Sequence, residues 1–297
     1  MACRYAVHFN LLYQGRLILE GNIIQILFMD AYALGGEQAM AAKIIIMGRP
    51  GSGKSFASRC IRDYLQQKNY GWSIARFNDY EILKDMFRFE MLFPAYNQPR
   101  KFRPVAYGGF DVCDFSVLDT SLRELEKQVQ RAYSPYKEEL ISIEFARPDY
   151  NIAFSLFNRK FLKNTYLLFL NADVDTCLAR IHDRVTHPTS QDDYFVSESI
   201  LRTYYNKQVT PDLSKWNIPS NRMITINSKG SVNSFRKKIE YLTETIIEDE
   251  MRAWDIDIPD HSLIDKLSKV SGFLHMRRYL PGYENSRVLK SRSMIQR

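Results

Sequence analysis

Gly48 is followed by Arg49, Pro50, Gly51 and Ser52 and then by Gly53-Lys54-Ser55, inside the stretch KIIIMGRPGSGKSFASRCI. Glycine, four residues, Gly-Lys-Ser is a spacing that can cradle a phosphate chain. Gly48, Gly51 and Gly53 allow positive φ and close backbone approach, so that successive N–H groups converge on one anion. Lys54 can reach the β- and γ-phosphates of a nucleoside triphosphate, and Ser55 can offer its hydroxyl to Mg²⁺. The pattern needs a strand before it and a helix after it. Ile44 to Met47 form an apolar run of the kind a central parallel strand shows, and from Lys54 the chain reads as a helix. The N-terminus of that helix adds partial positive charge at the same spot.

Other residues have types suited to this chemistry. Glu144 ends the apolar segment ELISIEF. A carboxylate there can hold Mg²⁺ through water, or face solvent as an ordinary strand end. Arg180 and Arg184 lie four apart and share a helix face, and their planar guanidinium groups suit phosphoryl oxygens; a solvated face reads the same way. His182 and His187 lack the spacing to carboxylates or cysteines that metal binding needs. Phe87, Phe89 and Phe93 read as core, and Arg100, Lys101 and Arg103 as a solvated loop.

These groups require an alternating scaffold to hold them. Beyond the first strand, further strands are expected over Ser73–Phe77, Glu139–Phe145, Thr165–Leu170 and Arg222–Ile226. Helices are expected through about Lys68, from about Tyr80, over Phe115–Ala132, Asp173–Val185 and Val196–Lys207, and as a long closing helix over Val232–Glu250. Phe115–Ala132 is amphipathic, with Val117, Leu118, Leu122, Leu125 and Val129 on one face. Ala95–Asp111, rich in Pro and Gly, reads as a loop or lid-like insertion outside the core. Strands alternating with helices predict an α/β fold with a parallel sheet and right-handed crossovers.

Composition sets the bounds. The 297 residues, 45% of them hydrophobic, suffice for a sizeable core. The four cysteines form no CxxC pair, so neither a zinc site nor a disulfide framework is suggested, and a reducing cytoplasm fits. The net charge of +7 would suit nucleic acid, but six Lys and Arg against Glu284 crowd the last residues, Arg277 to Arg297, and the rest is nearly balanced. No segment has the run of about 18 to 20 apolar residues that spans a bilayer.

From about Lys43 to Glu250 the chain resembles the nucleoside and nucleotide kinases of the P-loop fold. The likeness rests on GRPGSGKS, ISIEFARPDY, NADVDTCLARIHDRV and INSKGSVNSFRKKI. It implies a three-layer fold around a five-stranded parallel sheet with a lid, ATP and Mg²⁺ as cofactors, and a small-molecule acceptor. Gly48, Arg49, Pro50, Gly51, Ser52, Gly53, Lys54 and Ser55 would bind the triphosphate, and Asn227, Ser228, Lys229 and Gly230 would lie near the adenine. Ser55 and Glu144 would serve the metal. Asp79, at the end of the second strand, would orient the acceptor hydroxyl or take its proton, and could also cap the helix that follows. Arg147 resembles the arginine of the acidic-Arg motif such kinases carry, although here two residues separate it from Glu144. With Arg180 and Arg184, which lead into the lid, it would stabilise the phosphate in transfer.

The expected organisation is an N-terminal extension over residues 1–39, a kinase-like domain over 40–250 and a basic extension over 251–297. A start at Met40, directly before AAKIIIMG, would make residues 1–39 an upstream addition, and a real N-terminal element is the equal alternative. Two other readings share the nucleotide site: a regulatory ATPase whose basic tail docks a partner, and a polynucleotide kinase. The second requires a steep salt dependence, and the near-neutral charge outside the tail argues against nucleic acid.

Overall fold

The computed structural model describes residues 17–19, 22–24, 41–94, 99–134, 138–188 and 194–256. By residue contacts the chain divides into a unit of Ala39–Arg252 and a second made of Met1–Gln38 with Ala253–Arg297. In the second unit β1 (Leu17–Leu19) and β2 (Asn22–Ile24) pair antiparallel, Leu17 opposite Ile24. The basic tail from Arg277 to Arg297 lies outside the described residues.

The larger unit begins with β3 (Ala42–Met47) and α1 (Lys54–Lys68), followed by β4 (Ser73–Asn78) and α2 (Asp79–Leu92). A hairpin of β5 (Phe102–Pro104) and β6 (Phe110–Val112) leads to α3 (Ser116–Ala132) and β7 (Glu139–Glu144). Two short helices, α4 (Tyr150–Ser155) and α5 (Arg159–Leu162), precede β8 (Thr165–Asn171) and α6 (Val174–Thr186). Then come α7 (Glu198–Thr203), β9 (Met223–Asn227) and α8 (Val232–Ile256).

The strands make one parallel sheet in the order β4-β7-β3-β8-β9. Alternate side chains of a strand face opposite ways, which divides the core in two. Ile45, Ile143 and Leu167 pack with Leu122 and Leu125 of α3 on one face. Ile44, Ile46 and Leu168 pack with Ile61 of α1 and Ile239 of α8 on the other. This is the expected three-layer α/β arrangement. Because all five strands run the same way, Gly48, Asn78, Glu144, Asn171 and Asn227 end at one edge, where ligands of open α/β sheets bind. Among the described residues, no helix is long and apolar enough to cross a membrane.

Three expectations are corrected. The insertion over Ala95–Asp111 is not outside the core: Phe102 and Phe110 are buried, meet edge-on at 5.4 Å between ring centroids, and pack with Leu83, Val117 and Leu118. The buried Glu90 carboxylate fixes its entry by accepting from the backbone N–H groups of Lys101 at 3.0 Å and Phe102 at 3.2 Å. Phe89 and Phe93 are exposed, because α2 turns Ile82, Leu83 and Glu90 inward; Phe87 stacks on Phe110 at 4.9 Å. The helix expected over Val196–Lys207 is only Glu198–Thr203.

Candidate functional site

The glycine-rich turn between β3 and α1 adopts the backbone its sequence allows. Gly48, Gly51 and Gly53 have φ of 140°, 78° and 103°. A Cβ on Gly48 would come within 2.7 Å of the Leu170 carbonyl oxygen, and one on Gly51 within 2.6 Å of that of Cys177, so the first two glycines also permit close packing on β8 and α6. Lys54 donates to the carbonyls of Gly48 at 2.9 Å and Arg49 at 2.8 Å. Burial lowers its ammonium pKa to about 8, against the opposing pull of Glu144 and Asp79. Arg49 points away from the cavity: its guanidinium binds the carbonyls of Tyr205, Ala172 and Asn206 and the side chain of Gln208.

Tyr150 was not legible as a site residue. It is fully buried, and its hydroxyl accepts from the Gly48 N–H at 2.7 Å while lying 3.4 Å from the Arg147 N–H. It therefore ties the start of the phosphate turn to the segment after β7. Tyr150→Phe leaves the Gly48 N–H without its acceptor, so a loss of about 1–3 kcal/mol is expected in urea denaturation.

The structure brings Ser55 and Glu144 together, 3.1 Å apart. Glu144 is buried rather than solvent-facing, and its oxygens also accept from Ser58 at 2.7 Å and from Arg76 through both Nε and Nη2, the latter at 3.2 Å. An ionised carboxylate has about four lone-pair sites. These four donors fill them, so Glu144 does not fit a direct contact to Mg²⁺. Arg76 also donates to Ser55 Oγ at 2.9 Å. Among the described residues, no cluster of three or more His, Cys, Asp or Glu is arranged to hold a metal.

Asp79 is the first residue of α2, and the cap is its neighbour Asn78, whose side chain accepts from the Glu81 N–H. Asp79 is thus freed from capping. It is buried and receives Arg147 Nη1 at 2.6 Å. Burial pushes its carboxyl above the ordinary aspartate value, with Arg147 and Lys54 pulling the other way. Arg147 in turn donates to the Leu118 carbonyl at 2.6 Å and to Ser121 at 3.1 Å. It stands behind Asp79, outside the lining of the cavity.

That cavity, about 430 Å³, is within the range of small-ligand sites. Gly51 to Ser55 form its floor, and Asp79, Arg180, Arg184, Ser228 and Gly230 border it. Asn227 and Lys229 do not line it: Asn227 accepts from the Lys229 N–H and Lys229 pairs with Asp173. Arg180 joins the phosphate turn to the loop after β9, donating to the Ser52 carbonyl at 3.4 Å and to Ser228 through its hydroxyl and carbonyl. Arg184 donates to the Tyr194 carbonyl at 2.7 Å and sits over that ring at 4.5 Å. Tyr194 stacks on Tyr80 at 3.4 Å between centroids. Phe56, Val232 and Phe235 supply an apolar wall. Of the residues with no sequence signal, Arg76 left the plainest trace, a cation inside the otherwise strand-like SIARFN.

No family model and no curated relative matches the chain. Similar solved structures include a gluconokinase from Sinorhizobium meliloti 1021, 14% identical with a TM-score of 0.43 over 71% of this chain and 96% of that one. Another is the Mycobacterium tuberculosis APS kinase in complex with AMPPNP and APS, 12% identical with a TM-score of 0.40 over 69% of this chain and 98% of that one. A shikimate kinase from Acinetobacter baumannii is 13% identical, with a TM-score of 0.37 over 72% of this chain and 97% of that one. These likenesses concern the fold alone. The larger unit is a three-layer α/β fold on a five-stranded parallel sheet, with the glycine-rich turn after its central strand.

Proposed function

We propose that this chain transfers the γ-phosphoryl group of ATP to a hydroxyl of a small acceptor, a nucleoside, nucleotide or similar compound. The observation that carries this reading is the placement of Asp79. A buried carboxylate with a raised pKa opens onto the same cavity as Lys54 and the phosphate turn. Binding nucleotide calls for the turn and the lysine; a carboxylate at its phosphate end suits a second substrate bearing a proton.

The N–H groups of the turn and Lys54 would hold the β- and γ-phosphates, with the base toward Ser228, Gly230 and the Phe56–Phe235 wall. The acceptor oxygen bonds to the γ-phosphorus as the bond to the β,γ-bridging oxygen breaks, ADP leaves with that oxygen, and the hydroxyl proton passes to Asp79. Arg147 keeps Asp79 in one orientation, and Arg180 and Arg184 offset charge on the phosphoryl oxygens. Mg²⁺ carried on the triphosphate would supply further neutralisation and meet Ser55, not Glu144.

A panel of nucleosides, nucleotides and small hydroxyl compounds incubated with ATP and analysed by mass spectrometry tests the reading. One or more acceptors gain a phosphate; a panel in which none does, across these classes, would overturn it. Nucleotide affinity also carries a pH signature. Because the Lys54 ammonium is lowered to about 8, it is charged below that pH and neutral above, so ATP binding should weaken as pH rises through that region. Calorimetric titration from pH 7 to 9 measures this.

A further inference from the structure

Asp79 and Tyr80 are the first two residues of α2, and both line the cavity that Lys54 also borders. Tyr80 stacks on Phe110 of the β5–β6 hairpin, 4° from parallel with 5.5 Å between ring centroids, and on Tyr194, 9° from parallel at 3.4 Å. The Arg184 guanidinium lies over the Tyr194 ring at 4.5 Å. Tyr80 covers one face of Tyr194, which leaves the guanidinium the other. The Tyr194 ring therefore fills a slot one ring thick between an aromatic face and a planar cation. Aromatic and guanidinium faces of this kind stack on any nucleobase, whatever its hydrogen-bonding edge. A phenol is a poorer occupant, because two electron-rich faces laid directly on one another are disfavoured against offset or edge-on pairs. Arg184 is held by the main-chain carbonyl of Tyr194, through Nε at 3.0 Å and Nη2 at 2.7 Å, so the slot keeps its cation when the side chain turns out.

From this geometry we infer that the slot between Tyr80 and Arg184 is the acceptor subsite, that it takes a planar aromatic ring such as a nucleobase, and that Tyr194 competes for it. The inference rests on the reading of the chain as a kinase and narrows its acceptors to compounds that carry such a ring. A molecule stacked on Tyr80 lies beside Asp79, the preceding residue, so a hydroxyl on its sugar can meet the carboxylate. The base of ATP has a separate wall at Phe56 and Phe235.

The full chain is incubated with ATP and either the common nucleosides and their monophosphates or base-free counterparts, ribose, ribose 5-phosphate and glycerol, and the products are read by mass spectrometry. Phosphate is expected on one or more members of the first group only. Transfer to the second group alone, or to ribose as fast as to any nucleoside, overturns the inference and leaves the proposed function standing. Transfer to neither group removes the proposed function, and this inference with it. For the acceptor so found, Tyr80→Leu should raise KM at least about tenfold and leave that for ATP within about twofold, and Tyr80→Phe, which keeps the ring, should recover most of the loss. Tyr194→Ala, which removes the competing ring, should lower the acceptor KM by about threefold or more. A Tyr80→Leu variant that melts as the wild type does and keeps its acceptor KM, or a Tyr194→Ala variant that raises it, overturns the inference.

Discussion

On the proposed function, Lys54→Ala is expected to abolish phosphoryl transfer, lowering kcat/KM by about 10³-fold or more, while the fold persists. The size follows from position: the ammonium sits at the start of α1 inside the phosphate turn, in a site screened from water, where a charge opposite the transferring phosphate counts for far more than at a surface. The fold persists because Lys54 contributes little to it. Its own burial disfavours the charged form, so removing the ammonium removes a desolvation cost along with two hydrogen bonds to carbonyls of the turn. Steady-state kinetics beside a thermal melt separates the two effects. A retained rate would remove Lys54 from the chemistry, and a lost melt would make the variant uninformative about it.

Asp79→Asn is expected to lower kcat by about 10²- to 10⁴-fold with ATP affinity unchanged. The amide is the same size and its oxygen can still accept from Arg147 Nη1, so the change removes the proton acceptor and little else. Asp79→Ala goes further, because it strands a buried guanidinium whose remaining partners are the neutral carbonyls of Leu118 and Ala146 and the Ser121 hydroxyl. Breaking such a buried pair costs about 3–5 kcal/mol, which a denaturation series would record. The pH profile gives an independent sign. A base whose pKa burial has raised loses its activity as pH falls through a value above the ordinary 3.8, so the acid limb of kcat lies higher than for an exposed aspartate and disappears in Asp79→Asn.

What the chain discloses as sequence depends on how local each cause is. The turn from Gly48 to Ser55 is legible because strand, glycines, lysine and helix are adjacent, and the phosphate chemistry follows from that order. The five strands are legible for the same reason: Ile44 to Met47 and Tyr166 to Leu170 are apolar throughout because helices cover both faces. The support behind the site is not legible, because it is built from residues far apart. Arg147 meets Asp79 across 68 positions and Arg76 meets Glu144 across another 68. By resemblance Arg147 is expected at the transferring phosphate, and Glu144 is expected to hold Mg²⁺ through water or face solvent; in space Arg147 pairs with Asp79 and Glu144 with Arg76.

The hairpin of β5 and β6 escaped because three-residue strands are too short to show a period of two, and Pro104 and Gly108-Gly109 read as loop. The helix over Glu198–Thr203 falls short of its apolar pattern for a tertiary reason. The carbonyls of Tyr205 and Asn206, and the side chain of Gln208, are taken by Arg49, so the chain leaves the helix to anchor the phosphate turn.

On the proposed function the γ-phosphate goes to an acceptor and not to water. The direct measurement is the fate of the label when γ-labelled ATP is held in a single turnover with an acceptor identified by the panel. Most label is expected on the acceptor, with inorganic phosphate forming more slowly and Lys54→Ala producing neither. Label released only as inorganic phosphate, with or without the acceptor, would contradict it and leave an ATPase.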